Sequence, residues 1–170
     1  MDKKLLVKSL VDNRYITSAA VKKAFMGVDR TAFLPDEQKD IAYSDTPLPI
    51  LAGQTISAPS MIAIMLEVSK LKKGMKVLEI GAGSGYNAAL IAEVVGQENV
   101  FTIERIHQLA AFAGMNLKEN GYRKVCVIEG DGSLGYKTEA PYDRIIVTAG
   151  APKITDAWKE QLKKGGLIVA

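Results

Sequence analysis

The chain has one cysteine, one histidine and one tryptophan in 170 residues. The lone Cys126 excludes an intramolecular disulfide, and the lack of a Cys pair or Cys/His cluster removes structural zinc. With His107 as the only histidine, Ser-His-Asp chemistry and histidine-rich metal sites have one candidate residue at best. No apolar run approaches the length of a membrane span, and Met1-Asp2-Lys3-Lys4 is not followed by the apolar core of a secretory signal. A surplus of one charge is missing too. The 22 Lys+Arg and 19 Asp+Glu leave a net charge of +3, too small to argue for a nucleic-acid partner. There is no internal repeat and no low-complexity stretch. The expectation is a cytoplasmic protein that engages neither membrane nor nucleic acid, with no metal. At 48% hydrophobic and 24% charged the composition is that of an ordinary folded domain. One domain spanning 1–170 has room for a proper core.

Residues 3–12 and 18–27 carry apolar side chains at helical spacing, with Ser18 as an N-cap and Gly27 as a stop. Over residues 30–60 the periodicity ends. Pro35, Pro47, Pro49, Gly53 and Pro59 forbid a long helix or central strand, so a long loop is expected, of the kind more often functional than idle. Pro59 suits the first turn of a helix reaching about Lys70. From residue 74 onward strands alternate with helices. Strands are expected at 75–80, 99–104, 125–130, 143–149 and 166–170, with helices at 85–96, 107–120 and 154–164. That alternation predicts an α/β fold, a doubly wound, mostly parallel sheet (74–170) behind an N-terminal helical layer (1–70). The sequence ends inside the apolar run Gly166-Leu167-Ile168-Val169-Ala170, which would leave a bare sheet edge unless further chain or a partner covers it.

The sharpest local signal is Glu79-Ile80-Gly81-Ala82-Gly83-Ser84-Gly85, between a strand and a helix. Glycines there allow a tight turn and close approach of backbone to ligand. A dinucleotide site would place its third glycine where Tyr86 stands, and no Gly-Lys-Ser/Thr follows to make a phosphate loop. The loop therefore suits a nucleoside carrying a small appendage, without a pyrophosphate. Glu104 ends the next strand, where a carboxylate can accept both hydrogen bonds of a ribose diol. Asp131-Gly132, after the third strand, offers an acid for an exocyclic adenine amine. Each feature has a plain alternative: a packing glycine, a solvated strand end, a simple turn. Their joint occurrence in order at one rim favours a binding crevice.

Glu79-x-Gly81-x-Gly83-x-Gly85 followed by an acid ending the second strand resembles the class I S-adenosylmethionine-dependent methyltransferases. The N-terminal half narrows the resemblance. Ala42 through Ile50 (AYSDTPLPI), Gly53-Gln54-Thr55-Ile56-Ser57-Ala58-Pro59, Ala140-Pro141-Tyr142-Asp143 and Val147-Thr148-Ala149-Gly150-Ala151-Pro152 resemble, in order, the signatures of protein-L-isoaspartate O-methyltransferases. Arg30 and Phe33-Leu34-Pro35 fit the same pattern, and the likeness runs over essentially the whole chain. It departs at Leu51, where the family commonly has glycine, and at Gly150, where it commonly has alanine. Family members also continue past the fifth strand with a Pro-Val-Gly segment and two more strands, so the sheet here is expected to lack its last strands.

The resemblance implies repair of damaged proteins, by methylation of the α-carboxyl of L-isoaspartyl residues in proteins and peptides with S-adenosyl-L-methionine as donor. The residue inventory suits that reaction. A carboxylate with a pKa of about 4 is already ionised at neutral pH and needs no general base. By the same resemblance Ser57 is the active-site serine, expected to donate a hydrogen bond that orients the carboxylate rather than to act as a nucleophile. Thr55 and Ile56 line the loop shared by cofactor and substrate. Glu79, Gly81 and Ser84 line the methionine part of the cofactor, with Gly83 and Gly85 in the same cofactor-binding loop, Glu104 takes the ribose, and Asp131 with Gly132 the adenine. Ser57 could instead cap the helix opening at Pro59. Asp45 could serve substrate or brace its loop. His107 is read as starting a helix, and Cys126 and Trp158 as packing. Two other readings stay open. One is a related methyltransferase acting on a small molecule or RNA, against which no Asn/Asp-Pro-Pro-Tyr/Phe-like motif is present. The other is a cofactor-binding module without turnover. A monomer is expected, unless the last strand's edge pairs with a second copy.

Overall fold

The computed structural model describes residues 2–170. Its N-terminal layer begins with α1 (Lys3–Asp12), capped by the Asp2 side chain accepting from the Leu5 N–H, and α2 (Ala19–Gly27), capped by Ser18 accepting from the Val21 N–H. The faces of Leu6, Val7 and Leu10 and of Val21, Ala24 and Phe25 turn inward. The proline-rich stretch that follows forms short 3-10 turns at Arg30–Phe33, Asp36–Ile41 and Leu51–Gly53, and a small antiparallel hairpin of β1 (Leu48–Pro49) and β2 (Thr55–Ile56). Helix α3 (Pro59–Ser69) opens on its proline, where the missing N–H costs no helical bond.

Then come β3 (Val77–Ile80), α4 (Tyr86–Val95), β4 (Val100–Glu104), α5 (His107–Glu119), β5 (Cys126–Glu129), β6 (Tyr142–Val147), α6 (Asp156–Glu160) and β7 (Leu162–Val169). The five long strands form one sheet in the order β5-β4-β3-β6-β7, every pair parallel. The chain first winds outward from β3 to β5, then returns to the other side of β3 with β6. Strand order reverses between β3 and β6, and the crevice beyond the carboxyl ends of those strands is where such sheets bind ligands.

One sheet face packs against α1 to α5, in an apolar cluster running from Leu6 through Phe33 and Ala63 to Val77, Val100 and Ile146. The N-terminal layer and the sheet thus share one core. The other face holds Leu78, Ile80, Phe101, Ile103, Ile145 and Val147 around the buried Trp158. Its cover is thinner than the sequence suggests. The helix expected at 154–164 ends at Glu160, because Leu162 pairs with Tyr142 and draws the chain into β7. Five positions later Leu167 pairs with Arg144, so Lys163–Gly166 bulge out of the ladder, with Gly165 at φ +77°. Cys126 packs against this face's core as expected, although it is only half-buried.

Candidate active site

The carboxyl ends of β3, β4 and β6 open into two adjoining cavities of about 320 and 460 Å³. They share a wall made of Gly81, Glu104, Arg105, Ala149 and Gly150. Thr55, Ile56 and Ser57 line the first from the N-terminal side, facing Glu79, Gly81, Gly83 and Ser84 on the sheet side. Asp131, Gly132 and Trp158 line the second. Of Ser57 and the ten residues expected at the cofactor site, Gly85 alone is on neither wall, and Asp45, His107 and Cys126 line neither cavity. Gly85 takes φ +88° as the cap of α4, and a Cβ there would lie 3.1 Å from Leu117, so it serves helix packing.

The glycine loop is pinned from several sides. Gly81 and Ala82 donate to the Ile103 carbonyl, the Thr148 hydroxyl donates to Gly81 O at 2.7 Å, and Asn116 of α5 donates to Ser84 O at 2.9 Å. Gly81 has φ +102°, and a Cβ there would meet the Ala149 methyl at 2.9 Å. Gly132 approaches β3 as closely, since a Cβ would stand 2.6 Å from Ile80 Cγ2. The Trp158 indole N–H donates to Gly132 O at 2.8 Å, which ties the buried ring to the 131–134 turn. The expected packing role of Trp158 is thus joined by a place on the cavity wall.

Glu104 is buried and not a solvated strand end. Its Oε2 accepts from Gly83 N–H and its Oε1 from Ile106 N–H, both at 3.0 Å, which leaves lone pairs toward the cavities. Glu79 is completely buried, accepting from Asn87 Nδ2 at 2.7 Å and from the Thr102 hydroxyl at 2.6 Å. Burial pushes its pKa up to about 7, against the opposing effect of those two hydrogen bonds, and the nearby Glu104 charge adds to the rise. Asp131 is exposed, and the Ser133 backbone N–H holds its carboxyl below the usual range. Ser84 Oγ and Asn87 Oδ1 are buried at the cavity and meet no protein partner. A loop pressed against its neighbours at Gly81, two orphaned polar atoms and two buried carboxylates fit a polar nucleoside-like ligand.

Ser57 does not cap α3. The capping position is Ala58, and the first-turn N–H of Ser60 is instead taken by Asp45 Oδ1 at 2.8 Å. Asp45 therefore braces its loop against the start of α3. His107 opens α5, with Nδ1 2.8 Å from Glu129 Oε2 on the surface. Asn87, Thr102, Asn116 and Thr148 were not singled out in the sequence, although Thr102 stands out as a polar residue inside an otherwise apolar strand core.

The sequence model of the protein-L-isoaspartate(D-aspartate) O-methyltransferase family matches residues 1–170. The chain belongs to this family. A protein-L-isoaspartate O-methyltransferase of Hyperthermus butylicus is 56% identical over 173 residues, covering 96% of this chain and 72% of that protein. A solved protein-L-isoaspartate O-methyltransferase superposes with a TM-score of 0.90 at 34% identity, over 98% of this chain and 54% of the other, so this chain spans about half its length. A Plasmodium falciparum member of the isoaspartyl methyltransferase family, solved in complex with S-adenosyl-L-homocysteine, superposes at 0.86 with 27% identity, over 99% of this chain and 83% of that one. Among the described residues no helix is long and apolar enough to cross a membrane, and no group of three or more His, Cys, Asp or Glu could hold a metal ion.

Proposed function

We propose that this chain methylates the α-carboxyl of L-isoaspartyl residues in damaged proteins and peptides, with S-adenosyl-L-methionine as methyl donor. The observation that carries the reading is the facing of two walls across the first cavity. The Thr55–Ser57 segment lies opposite the Glu79–Ser84 loop, so a substrate group and a nucleoside-borne methyl can meet between them. Family membership and the relatives' names support it.

Bound there, the cofactor supplies a methyl group on a sulfonium sulfur, an electrophile needing no activation. The remaining work is positional, and alignment of two reactants can be worth roughly 7–11 kcal/mol. In this reading Ser57 donates a hydrogen bond to one carboxylate oxygen of the substrate and leaves the other free to take the methyl. Thr55 and Ile56 shape the shared wall. Glu79, Gly81, Gly83 and Ser84 hold the methionine portion, and the unpartnered Ser84 Oγ finds its partner there. Glu104 accepts from the ribose hydroxyls with its free lone pairs, and Asp131 with Gly132 holds the adenine in the second cavity. Gly85 acts through the fold of the loop alone. Residues 1–170 act as one domain, because both the core and the first cavity draw on the N-terminal layer and the sheet. A cytoplasmic monomer completes the reading.

The test is methyl transfer from S-adenosyl-L-methionine to a synthetic L-isoaspartyl peptide, with the matching L-aspartyl peptide as control. Transfer to the isoaspartyl peptide alone is expected. Cofactor binding by calorimetry without transfer to either peptide would overturn the activity while leaving the cofactor site standing.

A further inference from the structure

Among the described residues Arg30 is the one fully buried cation, and no carboxylate lies within salt-bridge distance of it. It opens the 3-10 turn Arg30–Phe33 of the N-terminal layer. Nε donates to Ala42 O at 2.9 Å, Nη2 donates to Ser57 O at 2.9 Å, and Cζ lies 5.0 Å from the centre of the Tyr86 ring. Nη1 meets no protein acceptor. A buried guanidinium with no carboxylate in contact is costly, since the Asp45 charge acts on it only from beyond salt-bridge distance, and an apolar side chain of similar volume would serve the core better. What the guanidinium adds is reach. Its planar fork and aromatic-stacking face join three segments that no hydrocarbon could join: the turn before the hairpin, Ser57 just after β2, and the first residue of α4 directly after the glycine loop.

Building on the reaction proposed above, we propose that Arg30 is a positioning residue: it clamps the Ser57 main chain against Tyr86, so the substrate wall keeps a fixed separation from the glycine loop. Arg30 lines neither cavity, so its effect passes through Ser57 and Tyr86, which do line the first one. Ser57 is held from behind by Arg30, while Asp45 pins Ser60 three residues on. Between these two anchors the Ser57 main chain has little freedom to shift along the cavity wall. Displacement of a methyl group requires attacking oxygen, carbon and sulfur in line, and a shift of about 1 Å at such a centre can cost about 100-fold in rate.

The experiment compares the full chain with Arg30→Lys, which keeps the charge but not the fork, and Arg30→Met, which keeps bulk without donors. Hydrogen exchange of the amides at 55–58 is expected to rise by about 10-fold or more in both, the scale of a lost hydrogen bond from a charged donor. Exchange in β3 and β4 stays unchanged, and calorimetry gives wild-type cofactor stoichiometry. On the isoaspartyl peptide kcat falls by roughly 10- to 100-fold. Wild-type exchange at 55–58, or a fall in kcat that only tracks lost cofactor stoichiometry, overturns the proposal. Failure of both variants to fold overturns it too, since Arg30 would then be a residue of core stability. If the wild-type chain leaves the isoaspartyl peptide unmethylated, the activity fails on its own account, and the exchange at 55–58 decides the clamp.

Discussion

Glu79 is a carboxylate with no cation beside it, held in the sheet by one amide and one hydroxyl. Its pKa is raised from the ordinary 4.5 to about 7, so the sign of its effect on stability is defined. The unfolded carboxyl loses its proton near pH 4.5, while the folded one keeps it until about 7. Its contribution to folding is therefore complete below pH 4.5, falls as pH rises between the two values, and is gone above the folded pKa. The full swing is about 3 kcal/mol. Urea denaturation of wild type and Glu79→Gln across pH 4.5–8 is expected to give a stability difference that shifts by that order, in favour of the variant as pH rises. A pH-independent difference would rule the shift out. The same scale governs Ser57. Loss of one hydrogen bond to a charged group is worth about 1.5–3 kcal/mol, so Ser57→Ala should lower kcat/KM on an isoaspartyl peptide by roughly 10- to 150-fold. Cofactor affinity, measured by calorimetry, should hardly move, because the Ser57 hydroxyl is assigned to the substrate.

At the scale of elements the decisive contact is Asp45 on α3. A carboxylate at the first turn satisfies an orphan N–H and favours the positive end of the helix, and its removal costs about 1 kcal/mol. Asp45→Ala is expected to lose about that much in urea denaturation and Asp45→Asn to recover most of it, since the amide oxygen can accept the same bond. Equal losses in the two variants would mean that the bond to Ser60 does not carry the effect. Asp45 also marks the limit of what could be read in the sequence. The cap Ser18, the proline start of α3 and the glycine loop are local requirements, and each was legible because a few consecutive residues decide it. The Asp45–Ser60 bond is not local: two loops must meet first. Thr102 lies opposite Glu79 only because β3 and β4 pair in that parallel register, and Arg30 reaches Ser57 only because the hairpin folds over it. Helical spacing in Ile154–Lys164 misled for the opposite reason. A local pattern was overridden at Leu162 by ladder bonds to a strand twenty residues upstream.

For the whole molecule the consequence is that ligand binding and folding are coupled across both halves of the chain. The first cavity takes one wall from the N-terminal layer and the other from the sheet, and a single apolar cluster runs beneath both. A ligand filling it therefore stabilises the native state as a unit, not the sheet alone. At a free concentration one hundred times its dissociation constant, the gain is about 2.7 kcal/mol. For a chain of this length that corresponds to a rise in Tm of roughly 5–11 °C. S-adenosyl-L-homocysteine is the probe of choice, since it tests the site without turnover. Its saturation is expected to raise Tm by that amount in a single transition, and to slow amide exchange at Thr55–Ser57 as well as at Gly81–Ser84. Protection confined to the glycine loop would mean that the N-terminal wall does not close on the ligand, and would remove the physical basis for placing substrate and methyl donor between the two.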